Sequence, residues 1–296
     1  MTFLHQIITQ LLICIVVLIG GVSSETVIVF GGSGAVGSEV LQSVLRDDFF
    51  DKVIVIGRQS SFKKIDNIIS SVGEEVKGEI TKVKFERVED ISTDTSIERA
   101  DTCLIALGVS APHHDNLQNW HSVEVDLIHT IAKFCNRIQA RSISLLSAVD
   151  VEYESAVPFT EEEIASYGEG SLGWIKMILL YNRVKGLEEK AIIEGASNVT
   201  YFRLFQPNTI VTEQPRYGWF DTILFRLHGI LDRYLPERYH SVDVKLLGRA
   251  MVEDARMKLM EKEDITSSQD VSQLTYKDYV SVTGKTNQES RLGDEL

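Results

Sequence analysis

Cysteine is scarce in this chain: three in 296 residues, at 14, 103 and 135, with no metal-ligand spacing. The count offers no disulfide framework, and no metal site is expected. Cys103 falls in an apolar strand-like run and Cys135 in an apolar helical run, so both read as buried thiols. Positive charge is also short. Thirty Lys and Arg stand against 43 Asp and Glu, for a net charge of −13 and a pI near 5.0. An acidic surface argues against a nucleic-acid partner. With 44% hydrophobic and 25% charged residues, the chain has the composition of one globular α/β domain with a small appended lobe.

The N-terminus does not read as domain structure. Ile7 to Ile19 is a nearly unbroken apolar run, followed by Gly20-Gly21-Val22-Ser23-Ser24. This pattern fits a signal-peptide core with small residues at a cleavage point after Ser24. No Lys or Arg precedes the run, and a strand starts almost at once. An uncleaved anchor over residues 4–22 is therefore the alternative, and the only route by which a membrane would become a partner. The chain ends Gly293-Asp294-Glu295-Leu296, which resembles the Lys-Asp-Glu-Leu retrieval signal. Together the two termini point to the endoplasmic reticulum lumen. Asn198-Val199-Thr200 is the single sequon, and it opens a predicted strand.

From Thr26 to Arg58 the chain reads strand, glycine turn, helix, strand. Thr26-Val27-Ile28-Val29-Phe30 is an apolar, β-branched run typical of a buried parallel strand. Gly31, Gly34 and Gly37 follow, and Val36, Val40, Leu41, Val44 and Leu45 form a helical stripe. Val53-Ile54-Val55-Ile56-Gly57-Arg58 closes the unit. This context makes the glycines a dinucleotide fingerprint, spaced GxxGxxG. Gly31 allows the tight turn, Gly34 the approach of a pyrophosphate and Gly37 the close packing of helix on strand. Ser33, Ala35 and Val36 lie among them, at the positive end of the helix. The second strand ends in Arg58 with no acid beside it. A guanidinium suits a 2′-phosphate, which favours NADP (NADPH) over NAD, and Lys63 and Lys64 add charge.

Further strands are expected around Val83-Lys84-Phe85, at Thr102 to Gly108, at Ser142 to Ser147 and at Val199 to Phe205, alternating with helices at Trp120–Ile138 and from Ile175 to Glu194. The expected fold class is α/β, a doubly wound parallel (Rossmann) sheet with a small C-terminal substrate lobe. Leu107-Gly108 falls where a strand delivers backbone to the cofactor. The expected organisation is a leader over 1–24 and a dinucleotide-binding domain over 25–262. That domain includes an insert at 148–174 and a lobe at about 206–262. A polar, mobile tail is expected over 263–296, with one short helix near Tyr276. Glu161-Glu162-Glu163 reads as a solvated helix start rather than a metal site.

Among nine tyrosines only Tyr181 has a lysine four residues on, Lys185. On a helix the two share a face. A nearby ammonium would lower the tyrosine pKa, and the phenol could give or take a proton as hydride moves to or from a nicotinamide. Lys185 could also hold the nicotinamide ribose. Ser147, at the carboxyl end of a strand, is the candidate to orient the carbonyl of a small-molecule substrate; a strand-end cap is the other reading.

These residues resemble the short-chain dehydrogenase/reductase superfamily and, within it, the atypical branch of the Tat-interactive proteins. The resemblance covers roughly residues 25–260. It is carried by Val29 to Gly37, Val55 to Arg58, Leu107-Gly108, Leu145-Leu146-Ser147, Tyr181 to Lys185, Pro207 and His240-Ser241-Val242. It implies a Rossmann fold, NADP binding and a Ser/Tyr/Lys reductase site. The sequence departs from the family at Ala148, where a second serine is usual, at Gln59 in place of a second basic residue, and at Gln206 in place of Arg. Ser147 and Tyr181 stand 34 positions apart, a long separation for the branch. Two functions follow: an NADP-dependent oxidoreductase acting on a small carbonyl or alcohol, or an NADP(H)-binding regulatory or interaction protein with little or no catalysis. Substrate and oligomeric state are not legible.

Overall fold

The computed structural model describes residues 24–86, 88–108, 117–166, 174–212, 232–261 and 268–293. The expected leader, Val109-Ser110, residues 167–173 of the insert, 213–231 of the lobe and the terminal Asp294-Glu295-Leu296 lie outside them.

Seven strands form one sheet, parallel throughout. They are β1 (Glu25–Phe30), β2 (Phe50–Arg58), β3 (Glu79–Phe85), β4 (Thr102–Ile105), β5 (Ser142–Leu146), β6 (Tyr201–Phe205) and a strand at Asp270–Leu274, named β9 in chain order. Two short strands, β7 (Ile210–Val211) and β8 (Val242–Asp243), pair with each other. The sheet order is β3-β2-β1-β4-β5-β6-β9. The chain winds outward from β1 to β3, then returns to place β4 against the other side of β1. That reversal opens a crevice at the carboxyl ends of β1 and β4, where open α/β sheets bind ligands.

Alternation along the strands builds two cores. Val27 and Val29 face one layer, made of α1 (Ala35–Arg46), α2 (Phe62–Val72) and a C-terminal helix at Val244–Met260. Ile28 and Phe30 face the other, made of a helix at Leu127–Arg137 and a long helix at Trp174–Gly195. All four of these β1 side chains are fully buried, as a sheet covered on both faces requires. Cys103 and Cys135 are buried free thiols in the second core, with Sγ atoms 2.9 Å apart.

In chain order the remaining helices are α3 (Leu117–His121), α4 (Leu127–Arg137), α5 (Glu161–Ser166), α6 (Trp174–Gly195), α7 (Val244–Met260) and α8 (Tyr276–Gly293). Two expectations change, and the acidic run starts a helix as expected. The helix expected over Trp120–Ile138 is interrupted by a π-helical turn at Ser122–Asp126. The acidic run begins α5 as a capping box: Glu163 N–H donates to Thr160 Oγ1, and Thr160 N–H donates to Glu163 Oε2. The region beyond 262 is not a polar tail. It supplies strand β9 and the 18-residue helix α8, whose Tyr279 is buried against Phe205 with ring centroids 5.6 Å apart. The strand was illegible because β9 sits at the sheet edge, with few residues needing to be apolar. The domain boundary expected at 262 therefore falls inside the folded domain.

A buried ion pair ties β6 to α7. Arg203 reaches Asp254 through two parallel bonds of 2.8 and 2.7 Å, and Asp254 is 1% exposed. Removing one partner strands the other charge. Asp254→Ala should lower unfolding free energy by about 3–5 kcal/mol, read from the urea midpoint, and the double apolar variant Arg203→Met/Asp254→Leu should recover most of it.

Candidate functional site

The turn between β1 and α1 is shaped by backbone approach. Gly31 has φ +79°, and a Cβ there would stand 2.4 Å from the Ala106 carbonyl oxygen. A Cβ on Gly37 would stand 2.0 Å from the Gly31 oxygen. Neither position admits another residue without moving the backbone. Gly34 N–H donates to the Gly31 oxygen at 2.8 Å, and Ser38 N–H closes the first helical bond onto Gly34 at 3.0 Å. The N–H groups of Ala35, Val36 and Gly37 precede that bond, so helix geometry leaves them free for an anion. Gly34, the N-cap, carries no capping side chain, and the first turn of α1 has no acid.

A cleft opens beside this turn, lined by Gly31, Ser33, Ile56, Arg58, Ser61 and Leu107 among others. Of the residues assigned to the cofactor it brings together Gly31, Ser33, Arg58 and Leu107. Arg58 is exposed at the end of β2. Lys64 donates to the Ser33 carbonyl at 2.5 Å and so braces the turn. Lys84, exposed on β3, lies over the Phe62 ring at 5.1 Å. Sequence reading missed Lys84, whose position follows only from the pairing of Gly57 with Lys84 between β2 and β3.

Tyr181 and Lys185 occupy consecutive turns of α6. The Tyr181 ring is half-buried and stacks on Trp120, with centroids 5.8 Å apart and planes 27° off parallel. Between them on the helix, Arg183 turns outward. It bonds to Glu163, Val157 O and Pro158 O and covers Phe159, which pins the segment after β5 to α6. The paired guanidinium holds Glu163 at a pKa of about 2.

Lys185 is turned inward. Its Nζ donates to Glu124 Oε2 at 2.6 Å and to Glu188 Oε2 at 2.7 Å. The three side chains are 5%, 0% and 0% exposed. Burial alone would lower the Lys185 pKa, but the two carboxyls, with Tyr181 beyond them, hold it well above its usual range. Burial pushes Glu188 well above the carboxylate range, opposed by Lys185 and reinforced by Glu124. The cluster lies directly behind the cofactor loop: a Cβ at Gly108 would stand 3.5 Å from Glu124 Oε1 and 3.7 Å from Lys185 Nζ. Glu124 comes from the π turn, 61 residues from Lys185, and nothing in the local sequence marks it. Glu188 was missed as well, though it is the i+3 neighbour of Lys185.

Ser147 lies at the end of β5, held by its N–H on the Phe205 carbonyl at 2.7 Å. Its hydroxyl is enclosed beside the Glu189 carboxyl. Burial raises the Glu189 pKa, and the Gln206 amide at 2.9 Å opposes that rise. Ala148 is buried beside Ser147. The structure thus joins Ser147 to the Lys185 cluster through Glu189, with its hydroxyl inside the protein. Among the described residues no helix is long and apolar enough to cross a membrane, and no cluster of three or more His, Cys, Asp or Glu is placed to hold a metal.

No family model and no curated protein matches the chain. Solved structures do. A thiolation-reductase di-domain from an archaeal non-ribosomal peptide synthetase is similar with TM-score 0.55 and 15% identity; the match covers 79% of this chain, which spans about half (54%) of that one. A 3-oxoacyl-[acyl-carrier protein] reductase from Brucella melitensis is similar with TM-score 0.53, 13% identity and coverage of 86% and 97%. A short-chain dehydrogenase from Streptomyces avermitilis is similar with TM-score 0.51, 12% identity and coverage of 93% and 96%.

Because a Cβ at 37 has no space, Gly37→Ala should destabilise the fold by about 1–3 kcal/mol and weaken dinucleotide binding at least tenfold. Thermal unfolding and NADPH fluorescence titration read the two effects. The geometry and the structural neighbours agree on one conclusion: this chain has the Rossmann fold that short-chain dehydrogenases and reductases share.

Proposed function

We propose that the chain is an NADP-dependent oxidoreductase of the short-chain dehydrogenase/reductase type, moving hydride to or from a small carbonyl or alcohol. The observation that carries this reading is one cleft holding both the glycine turn and Arg58, with no acidic residue among the described residues that line it. A ribose 2′-hydroxyl asks for a carboxylate there, whereas a 2′-phosphate asks for a guanidinium. Lys84 and Lys64 add positive charge around the same β2–α2 corner. Tyr181 is the proton donor or acceptor in this reading, and Lys185 the cation behind it. The neighbours named as reductases and as a short-chain dehydrogenase support the chemistry, one of them, a second 3-oxoacyl-[acyl-carrier protein] reductase from Brucella melitensis, having been solved with NAD. The Leu145-Leu146-Ser147 and His240-Ser241-Val242 stretches support the Tat-interactive branch. The apolar leader and the Gly-Asp-Glu-Leu terminus support residence in the endoplasmic reticulum lumen.

A second reading, a nucleotide-binding protein with little or no turnover, is favoured by the enclosed Ser147 hydroxyl and by the two carboxyls on Lys185. NADPH binding without NADPH consumption across a broad carbonyl panel would select it.

NADPH should bind more tightly than NADH, and Arg58→Ala should cost about 10- to 100-fold in NADPH affinity while leaving NADH nearly unchanged, the size of a lost charge-assisted contact. Isothermal titration calorimetry measures both; equal losses for the two nucleotides would refute the role. Tyr181→Phe should abolish turnover and spare NADPH binding, and turnover surviving that change removes Tyr181 from the mechanism.

A further inference from the structure

We propose that Cys103 and Cys135 are the two halves of a stabilising intrachain disulfide that joins β4 to α4, formed by exchange with a small disulfide of the oxidised-glutathione class. Their sulfurs lie 2.9 Å apart, so no other atom stands between them. A disulfide needs about 2.05 Å between sulfurs, a further approach of about 0.9 Å. Packing alone asks only for apolar volume, which alanine or valine would supply. It does not ask for two sulfurs head to head.

Both halves sit on regular elements, so the fold presents the pair in the same way each time it forms. Position 103 is at the centre of the sheet, paired with Ile28 on β1 and Ile143 on β5. Position 135 is near the end of α4, among the apolar residues that cover those strands. Cys14 falls in the expected leader. Once cleaved after Ser24, the chain holds these two cysteines and no third to compete with them.

The bond would close a loop from 103 to 135. That loop carries Gly108 and Glu124, which back onto Lys185, and Trp120, which stacks on Tyr181. Tying its two ends restricts the unfolded chain and so favours the state in which the loop lies against α6.

The chemistry balances without a metal or a further oxidant. One cysteine thiolate attacks a sulfur of the small disulfide, which forms a mixed disulfide and releases one thiolate. The second cysteine thiolate attacks the protein sulfur of that mixed bond and expels the other half. The cysteine pair loses two electrons and two protons, and the small disulfide takes up both and leaves as two thiols. Burial, with the Cys103 sulfur beside it, pushes the Cys135 thiol well above its usual range. Exchange needs a thiolate, so the docked pair reacts slowly and the bond forms before α4 closes on the sheet. Folding in the endoplasmic reticulum lumen, the residence proposed from the termini, provides that exchange. The oxidoreductase reading is not required: a chain that never consumes NADPH can carry the bond.

The test uses the full-length chain, reduced and unfolded in urea, then refolded in a mixture of reduced and oxidised glutathione. An acid quench, alkylation with N-ethylmaleimide under denaturing conditions and peptide mass spectrometry read the state of each cysteine. The expected product links the Cys103 and Cys135 peptides, with neither residue alkylated, and disappears on reduction. Alkylation of both residues, capping of either by glutathione, or pairing of either with Cys14 overturns the proposal. The oxidised protein should melt about 5 °C above the reduced protein. A melting temperature no higher than that of the reduced protein overturns it as well. Should the chain not refold, native protein is held in the same mixture at a urea concentration just below its unfolding midpoint, where opening exposes the pair. The same products then decide.

Discussion

Everything at the candidate site depends on the approach of the turn after β1 to the backbone after β4. Ala106 N–H donates to the Phe30 carbonyl at 3.1 Å, and the Ala106 oxygen lies where a Gly31 side chain would otherwise be. This contact joins the two strands at the reversal of the sheet order. It sets the amino end of α1 against the crevice and fixes where Leu107 and Gly108 emerge. Gly108 in turn backs onto Glu124 and Lys185. A side chain at position 31 would part the two strand ends and disturb the cleft beside the glycine turn and the buried charge cluster together.

Two unequal layers hold that contact in place. On the first face, α7 crosses α1 so closely that the helices share the core with β1 and β2. On the other, α4 and α6 pack over the strand ends that lead to the site. A third apolar group, including Trp120, Phe159, Leu180 and Val184, fills the corner between α3, α5 and α6, and Tyr181 packs against it. The tyrosine is thus positioned by aromatic stacking, while the lysine one turn on is positioned by charge. The same helix presents one functional face to two different environments.

The glycine turn, the strand order around it and the Tyr181–Lys185 spacing were legible because each is a local rule. Buried parallel strands need apolar runs, a tight turn needs glycine, and i,i+4 residues share a helix face. What escaped reading is non-local or lies at an edge. Strand β9 has only Val271 and Leu274 as apolar residues, because an edge strand covered by one helix needs little more. Glu124 looks like an ordinary surface acid in sequence and becomes a buried ligand of Lys185 only through the packing of α6 on the π turn. Ser147 was placed correctly at the strand end, but burial of its hydroxyl depends on Glu189 and Gln206, which come from α6 and β6.

Gln206 meets the Glu189 carboxyl with a neutral amide. Glu189 is left without a cation of its own, and burial keeps its pKa raised. The neighbouring cluster has the same excess of carboxyls, with one lysine facing two of them. The Tyr-x-x-x-Lys spacing therefore specifies only where two side chains sit. What the second faces is set by Glu124 from the π turn and Glu188 from its own helix, which take two of its hydrogens.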